Sequence, residues 1–166
     1  HAARLGVAAD RLIYARPENA IQAIEMMRTL TRSGALALVV LDSVTGLLTL
    51  GAGSSIYGHG DSTHQIFSQA VRELEVLAKK TDTAVLFTND LRERAGYKYG
   101  VPSTTPGGIS LKLHTSARIE ITAVKAIRSD IEIIGEQVRL RVVKPKRTFP
   151  FHTTFINFMY NGTIVR

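Results

Sequence analysis

The chain has 166 residues, 45% of them hydrophobic, enough to bury the core of one domain of ordinary size. It contains no cysteine, which excludes disulfides and thiolate-bound metals, and no apolar run approaches the roughly 20 residues of a membrane span. A formal net charge of +7 favours a polyanionic partner, and the lack of cysteine and of a secretory leader fits a cytoplasmic protein.

In chain order, residues 19–33 carry Ile21, Ile24, Met27 and Leu30 at three-residue spacing, with Asn19 and Gln22 as a capping pair and Gly34 as terminator. That spacing predicts a helix delivering the chain to residues 36–43, LALVVLDS. An apolar run bounded by Gly34 and Asp42 reads as a strand buried on both faces of a parallel sheet, with its carboxyl end at the sheet's ligand crevice. Asp42 then stands at that crevice. In nucleotide-hydrolysing proteins an acid here holds the magnesium that bridges the β- and γ-phosphates, opposite a glycine-rich phosphate loop. No GxxxxGK[ST] occurs in the chain, and a strand ending in Asp-Ser is also an ordinary way to begin a loop, so the strand by itself leaves both readings open.

A second helix is predicted from Ser62, paired with Gln65 in a capping box, through Phe67, Ala70, Val71, Leu74, Leu77 and Ala78 to Lys79 and Lys80, ending at Thr81. Residues 84–87 read as a second buried strand, closed by Thr88, Asn89 and Asp90. Helix, strand, helix, strand implies right-handed crossovers and parallel strands, so Asp42 and Asp90 are expected near each other. Residues 117–122, 137–144 and 154–160 are alternating or β-rich without long helices between them. They predict antiparallel additions to the sheet edge, and one mixed α/β domain over residues 1–166.

Two irregular stretches, residues 49–61 and 91–107, follow the two predicted strands and are longer than compact domains usually hold without a function. The first carries Gly51, Gly53, Gly58 and Gly60. The second mixes Arg92, Arg94 and Lys98 with Tyr97 and Tyr99, which suits a loop that binds single strands through phosphates and base faces; an exposed lid is the alternative. Gly107 and Gly108, before Ile109, Ser110 and Leu111, either open a short helix whose free amides face an anion or make a turn. Farther on, Arg139, Arg141, Lys144, Lys146 and Arg147 cluster without an acid. Alternation with Val138, Leu140 and Val142 explains the first two as outward-pointing strand residues, whereas Lys144 and Lys146 flank Pro145, where a strand should end.

Taken in order, LGVAADRLIYARP, VVLDSVTGL, FSQAVREL, TNDLRERAGYKYGVPSTTPGGISLKLHTSAR, VVKPKRTFPF and FMYNGTI resemble the bacterial RecA recombinase family over nearly the whole chain. The resemblance implies a RecA-like P-loop NTPase core, with parallel central strands and antiparallel edge strands, incomplete at its N-terminus. It implies ATP and Mg2+ as cofactors, with Asp42 as the Walker B acid and metal ligand and Ser43 beside it. Asp90, Lys144 and Lys146 fall at nucleotide-site positions, the lysine pair reaching the neighbouring subunit's γ-phosphate. Residues 49–61 and 92–105 match the two DNA loops, with Arg92, Arg94, Lys98 and Tyr99 on the second, and Gly107 and Gly108 match the short-helix start that meets the DNA backbone.

The implied activity is that of an ATP-dependent DNA recombinase, a DNA-dependent ATPase when intact, acting in DNA repair and the SOS response to DNA damage. Its partners are single-stranded and double-stranded DNA and further copies of itself in a helical filament, with no membrane. Three departures stand against a full transfer. The phosphate loop and catalytic glutamate belong upstream of His1, so this chain by itself is expected to be inactive; Asp90 replaces a γ-phosphate-sensing glutamine; and Pro145 replaces an asparagine. The alternative is a non-catalytic RecA-like protein that binds DNA or modulates filaments, and a third reading is a RecA-fold motor or switch acting on other substrates.

Overall fold

The computed structural model describes residues 6–50, 60–93, 103–145 and 152–165. The chain divides into two compact units, Ala15–Thr115 and a second formed by His1–Tyr14 with Ser116–Arg166.

In the first unit, helix α1 is Ala20–Arg32. The extended Asn19 caps it, its Oδ1 accepting from the Gln22 amide at 2.9 Å, while Gln22 Oε1 accepts from the Glu18 amide at 2.6 Å. The capping pair is therefore present, with the return bond landing one residue before the cap. Gly34, at φ 65°, ends the helix in the left-handed conformation that glycine adopts without strain. Ala20, Ala23, Ile24, Met27 and Thr31 form the buried stripe, which leaves Ile21 57% exposed.

That stripe packs on helix α3, Gly60–Thr81. The helix starts two residues before Ser62, so Ser62 lies inside it and is not its cap. Ile24 meets Phe67, Ala70 and Val71 in one cluster, and Met27 and Leu74 sit with Val39 in a second. Arg28 also pairs with Glu73 at 2.8 Å across the two helices.

Strands β1, Leu38–Leu41, and β2, Ala84–Phe87, pair in parallel with Leu41 opposite Phe87. The expected burial on both faces is not found. Val39 is 6% exposed, but Leu38, Val40 and Leu86 on the opposite face are 52%, 49% and 50% exposed. Among the described residues the helices cover a single face, and side chains that alternate by twos leave every second apolar residue open.

Between β1 and α3 lies a helix that the sequence reading missed, α2, Val44–Leu50. Ser43 caps it, with Oγ accepting from the Gly46 amide at 3.1 Å and its carbonyl from the Leu47 amide at 2.9 Å. Thr45, Gly46 and Thr49 are weak helix formers, and burial of Val44 and Leu47 overrides them.

The second unit is an antiparallel sheet of β5, Arg118–Ser129, β6, Glu132–Lys144, β7, Thr153–Met159, and β8, Ile164–Val165, paired in that order. Among the described residues it is a sheet of its own and not an extension of the β1–β2 pair, because each strand finds its partner in the next one along the chain. The β5–β6 hairpin turns through Asp130 at φ 52°, and it is longer than its alternating segments suggest. Gly135 is required where β6 crosses β7, since a Cβ there would lie 2.5 Å from the Phe158 carbonyl oxygen. Arg139 and Arg141 share one face with Glu120 and Thr122, while Val138, Leu140 and Val142 share the other with Ile119 and Ile121. No helix among the described residues is long and apolar enough to cross a membrane.

Candidate functional site

Because β1 and β2 run parallel, both deliver their next residues to one edge of the first unit. Thr88 stitches that edge together: its amide donates to the Leu41 carbonyl and its carbonyl accepts from the Val44 amide, both at 3.0 Å. Its hydroxyl donates to Asp42 Oδ1 at 2.6 Å. Asp42 is exposed, and its other carboxylate oxygen has no protein hydrogen bond among the described residues. The Asp42–Ser43 peptide bond is cis. Ser43 is committed through Oγ to the start of α2. Asp90 lies at the same edge, exposed, its amide donating to Asn89 Oδ1 at 3.0 Å; the side chain that touches Asp42 is Thr88.

This edge suits magnesium held jointly with phosphates. Magnesium favours one or two carboxylates plus phosphate oxygens and waters over an all-protein cage, and Asp42 offers one carboxylate oxygen without a hydrogen bond among the described residues. No group of three His, Asp or Glu side chains able to hold a metal occurs among the described residues.

The second long stretch is closed at its base in two ways. Strands β3, Arg92–Glu93, and β4, Ser103–Thr104, form a short antiparallel ladder with Arg92 opposite Thr104. Asn89 then donates from Nδ2 to the Pro106 carbonyl at 2.8 Å and accepts at Oδ1 from the Thr45 hydroxyl at 3.1 Å. Beyond Pro106 begins α4, Gly108–His114, so the helix expected after the two glycines is present. Gly107 stands at φ 95°, and a Cβ on it would lie 2.9 Å from Leu111, 3.1 Å from Phe67 and 3.2 Å from Val44. Only glycine fits there. At its other end α4 is tied to α3, with His114 Nδ1 2.7 Å from Glu75 Oε2 and Lys79 Nζ 2.6 Å from Glu75 Oε1. The hydrogen bonds from Lys79 and then His114 hold the Glu75 carboxyl down from 4.5 to about 2.

Between α3 and α4 lies an open groove of about 530 Å³ lined by His64, Gln65, Ser68, Gln69, Arg72 and Ser110. Among the described residues its lining carries no carboxylate. Arg72 is exposed and makes no ion pair among the described residues. Of the six, Gln65 was singled out in the sequence as a capping residue and Ser110 by its place after the two glycines; the other four were not. A signal was available, since His64, Ser68 and Arg72 recur every fourth residue and so share one face of a helix.

Arg94, Lys98, Tyr99 and Lys146 lie outside the described residues, and Arg92 is described through its backbone alone. Gly107 and Gly108 fall beside the groove, at the start of the helix that carries Ser110. Lys144 ends β6 in the second unit, half-buried and engaged by its neighbours. Thr88 and Asn89 were passed over in the sequence as strand-closing polar residues.

The model of the RecA N-terminal domain matches residues 1–165. The chain belongs to the RecA family. Among curated relatives it is similar to the Protein RecA of Brevibacillus brevis, 36% identical over 100% of this chain and 48% of that protein. The Protein RecA of Heliobacterium modesticaldum is 37% identical over 100% of this chain and 49% of its own length. That of Caulobacter sp. strain K31 is 40% identical over 99% of this chain and 47% of its own. The chain thus spans about half the length of the RecA relatives it matches. A parallel pair flanked by helices and a separate antiparallel sheet fit a RecA-like α/β domain.

Proposed function

We propose that this chain is part of an ATP-dependent DNA recombinase that forms filaments on single-stranded DNA and promotes homologous pairing and strand exchange in DNA repair. Residues 1–166 make up one RecA-like core on this reading, and the phosphate loop and catalytic base are supplied by sequence beyond these residues. The observation that carries the reading is a continuous polar path within one unit. It runs from Asp42 through Thr88 and the adjacent Asn89 to Pro106, beside the start of α4, the helix that shares the groove with α3.

Each end of the path suits a different polyanion. Asp42, with magnesium, takes the nucleotide's β- and γ-phosphates, and Asp90 and the lysines Lys144 and Lys146 complete the site when subunits assemble in a filament. ATP supplies the phosphoanhydride whose binding and hydrolysis drive the cycle. Arg72, His64 and Ser68 follow the backbone of single-stranded DNA, Arg92, Arg94, Lys98 and Tyr99 of the second loop add cations and a ring for its phosphates and bases, and Gly108, with open space where a side chain would stand, leaves room for a phosphate next to the turn that Gly107 makes. Nucleotide at one end and DNA at the other are then coupled through the base of the second loop.

The experiment is DNA-stimulated phosphate release by the full-length protein and its Asp42→Asn variant. Loss of at least tenfold in the variant is expected, on the scale of removing a transition-state charge stabiliser. Equal turnover in the two rules out the metal role. The second reading, a non-catalytic DNA-binding or filament-modulating protein, draws on Asp90, whose exposed carboxylate repels a γ-phosphate unless magnesium is shared. It predicts DNA binding with no phosphate release in either protein.

A further inference from the structure

Asp42 is bracketed by a single residue at the end of the neighbouring strand. The Thr88 amide donates to the Leu41 carbonyl and the Thr88 carbonyl accepts from the Val44 amide, both at 3.0 Å, so the residues on either side of Asp42 and Ser43 are tied to the same partner. The Thr88 hydroxyl then donates to Asp42 Oδ1 at 2.6 Å, within the short range of a hydroxyl that meets a carboxylate. Two other hydroxyls stand close in the chain, and each has a different partner. Ser43 Oγ accepts from the Gly46 amide and the Thr45 hydroxyl donates to Asn89 Oδ1, both at 3.1 Å. Thr88 is half-buried and Asp42 exposed, so the donor is held by its backbone and the carboxylate is held by the donor.

An exposed carboxylate with no partner rotates and offers either oxygen. With Oδ1 fixed by Thr88, the oxygen left to a ligand is the other one, which has no hydrogen bond among the described residues. Divalent cations ask different things of such a group. Magnesium is small and demands near-ideal octahedral geometry, whereas calcium is larger, more flexible and takes carboxylates through one oxygen or both. A cation that grips both oxygens of Asp42 must share Oδ1 with the Thr88 hydroxyl. One that uses a single oxygen leaves that bond intact.

We infer that Thr88 is a positioning residue that presents one oxygen of Asp42 to the nucleotide's divalent cation and so favours magnesium over calcium at this edge. The inference deepens the recombinase reading and rests on the metal role of Asp42 within it. Thr88 acts through the carboxylate alone, as an outer partner that fixes the orientation of a ligand. Its backbone bonds do not depend on its side chain, so Thr88→Val removes the hydroxyl and keeps the bracket, and Thr88→Ser keeps both.

The test uses the full-length protein and a slowly hydrolysed fluorescent ATP analogue, whose binding is titrated with magnesium chloride and, separately, with calcium chloride. The wild type is expected to need less magnesium than calcium for half-saturation. Thr88→Val should raise the half-saturating magnesium concentration about tenfold, the lower end of the usual loss when an outer partner of a metal ligand is removed, and leave the calcium value nearly unchanged. Thr88→Ser should restore the wild-type preference. A merely structural role predicts a lower melting temperature with equal loss for both cations. That result, an unchanged magnesium value in Thr88→Val, or a wild type without preference overturns the inference. Cation-dependent binding that is the same in Asp42→Asn as in the wild type overturns the metal role of Asp42 itself.

Discussion

The two units hold themselves together by different means. In Ala15–Thr115 every large element contributes to shared apolar clusters, and Phe67, Ile24 and Val44 are essentially sealed from solvent. The antiparallel sheet has no comparable interior among its described residues. Ile119, Ile121, Phe158 and Ile164, on the same face as Val138 and Leu140, are 61%, 63%, 42% and 61% exposed. The sheet is held by its backbone ladders and cross-strand pairs, and its apolar face lacks a cover within the described residues. The contrast explains where the candidate site lies. A polar network whose bonds must keep their geometry is built on the unit with a rigid interior, since close packing locks the elements that carry it.

The largest effect that can break this comparison comes from one aromatic ring. Phe67 is 1% exposed, meets Phe87 edge to face at a centroid distance of 6.2 Å and lies against Gly107. Phe67→Ala should cost about 3 to 5 kcal/mol, the range for emptying a buried aromatic site. Ile121→Ala on the sheet should cost well under half of that, because little of its surface leaves water on folding. Urea denaturation of both variants measures the difference. Similar losses would mean that the sheet's apolar face is buried in the intact protein.

A smaller but more local effect is expected at the two glycines. Gly107→Ala brings a methyl against Leu111, Phe67 and Val44 at a backbone angle that L residues rarely adopt, and should cost about 2 to 4 kcal/mol. Gly108→Ala also meets a positive φ, of 68°, but has nothing within 4 Å, so its cost should be about 1 kcal/mol from the backbone alone. If thermal unfolding ranks the two variants the other way, the packing of Gly107 against α2 and α3 is not what fixes the start of α4.

Much of the first unit was legible because its signals are local. Asn19 and Gln22 announced α1 within four residues, Ala84 to Phe87 came out with its observed limits, and α3 ends at Thr81 as its lysines and threonine suggest. Helix α2 was hidden because seven residues with a glycine and two threonines do not form a helix on propensity, and only burial of Val44 and Leu47 makes one. The open face of β1 and β2 was hidden for a related reason: a continuous apolar run shows that a strand can be buried, and its cover lies elsewhere. At the site, Asp42 was visible as an acid closing an apolar run. Thr88 and Asn89 were not, since their partners Asp42, Thr45 and Pro106 stand 46, 44 and 17 residues away.

The smallest expected effect concerns how the last turn of α4 is fastened to α3. Glu75 accepts from Lys79 and contacts His114, and its side chain keeps 28% of its surface in water, so screening limits what the cluster contributes. Its carboxyl is held at about 2 in the folded protein against an ordinary 4.5. The folded state therefore binds the proton less readily than the unfolded state, and the stabilisation is complete above about 4.5 and lost as the pH falls toward 2. Glu75→Gln cannot ionise and lacks this dependence. The urea midpoint of the wild type should exceed that of Glu75→Gln at pH 6, and the gap should narrow by pH 3 and close toward pH 2. A gap of the same size at both pH values would show that Glu75 fastens α4 by its hydrogen-bonding shape and not by its charge.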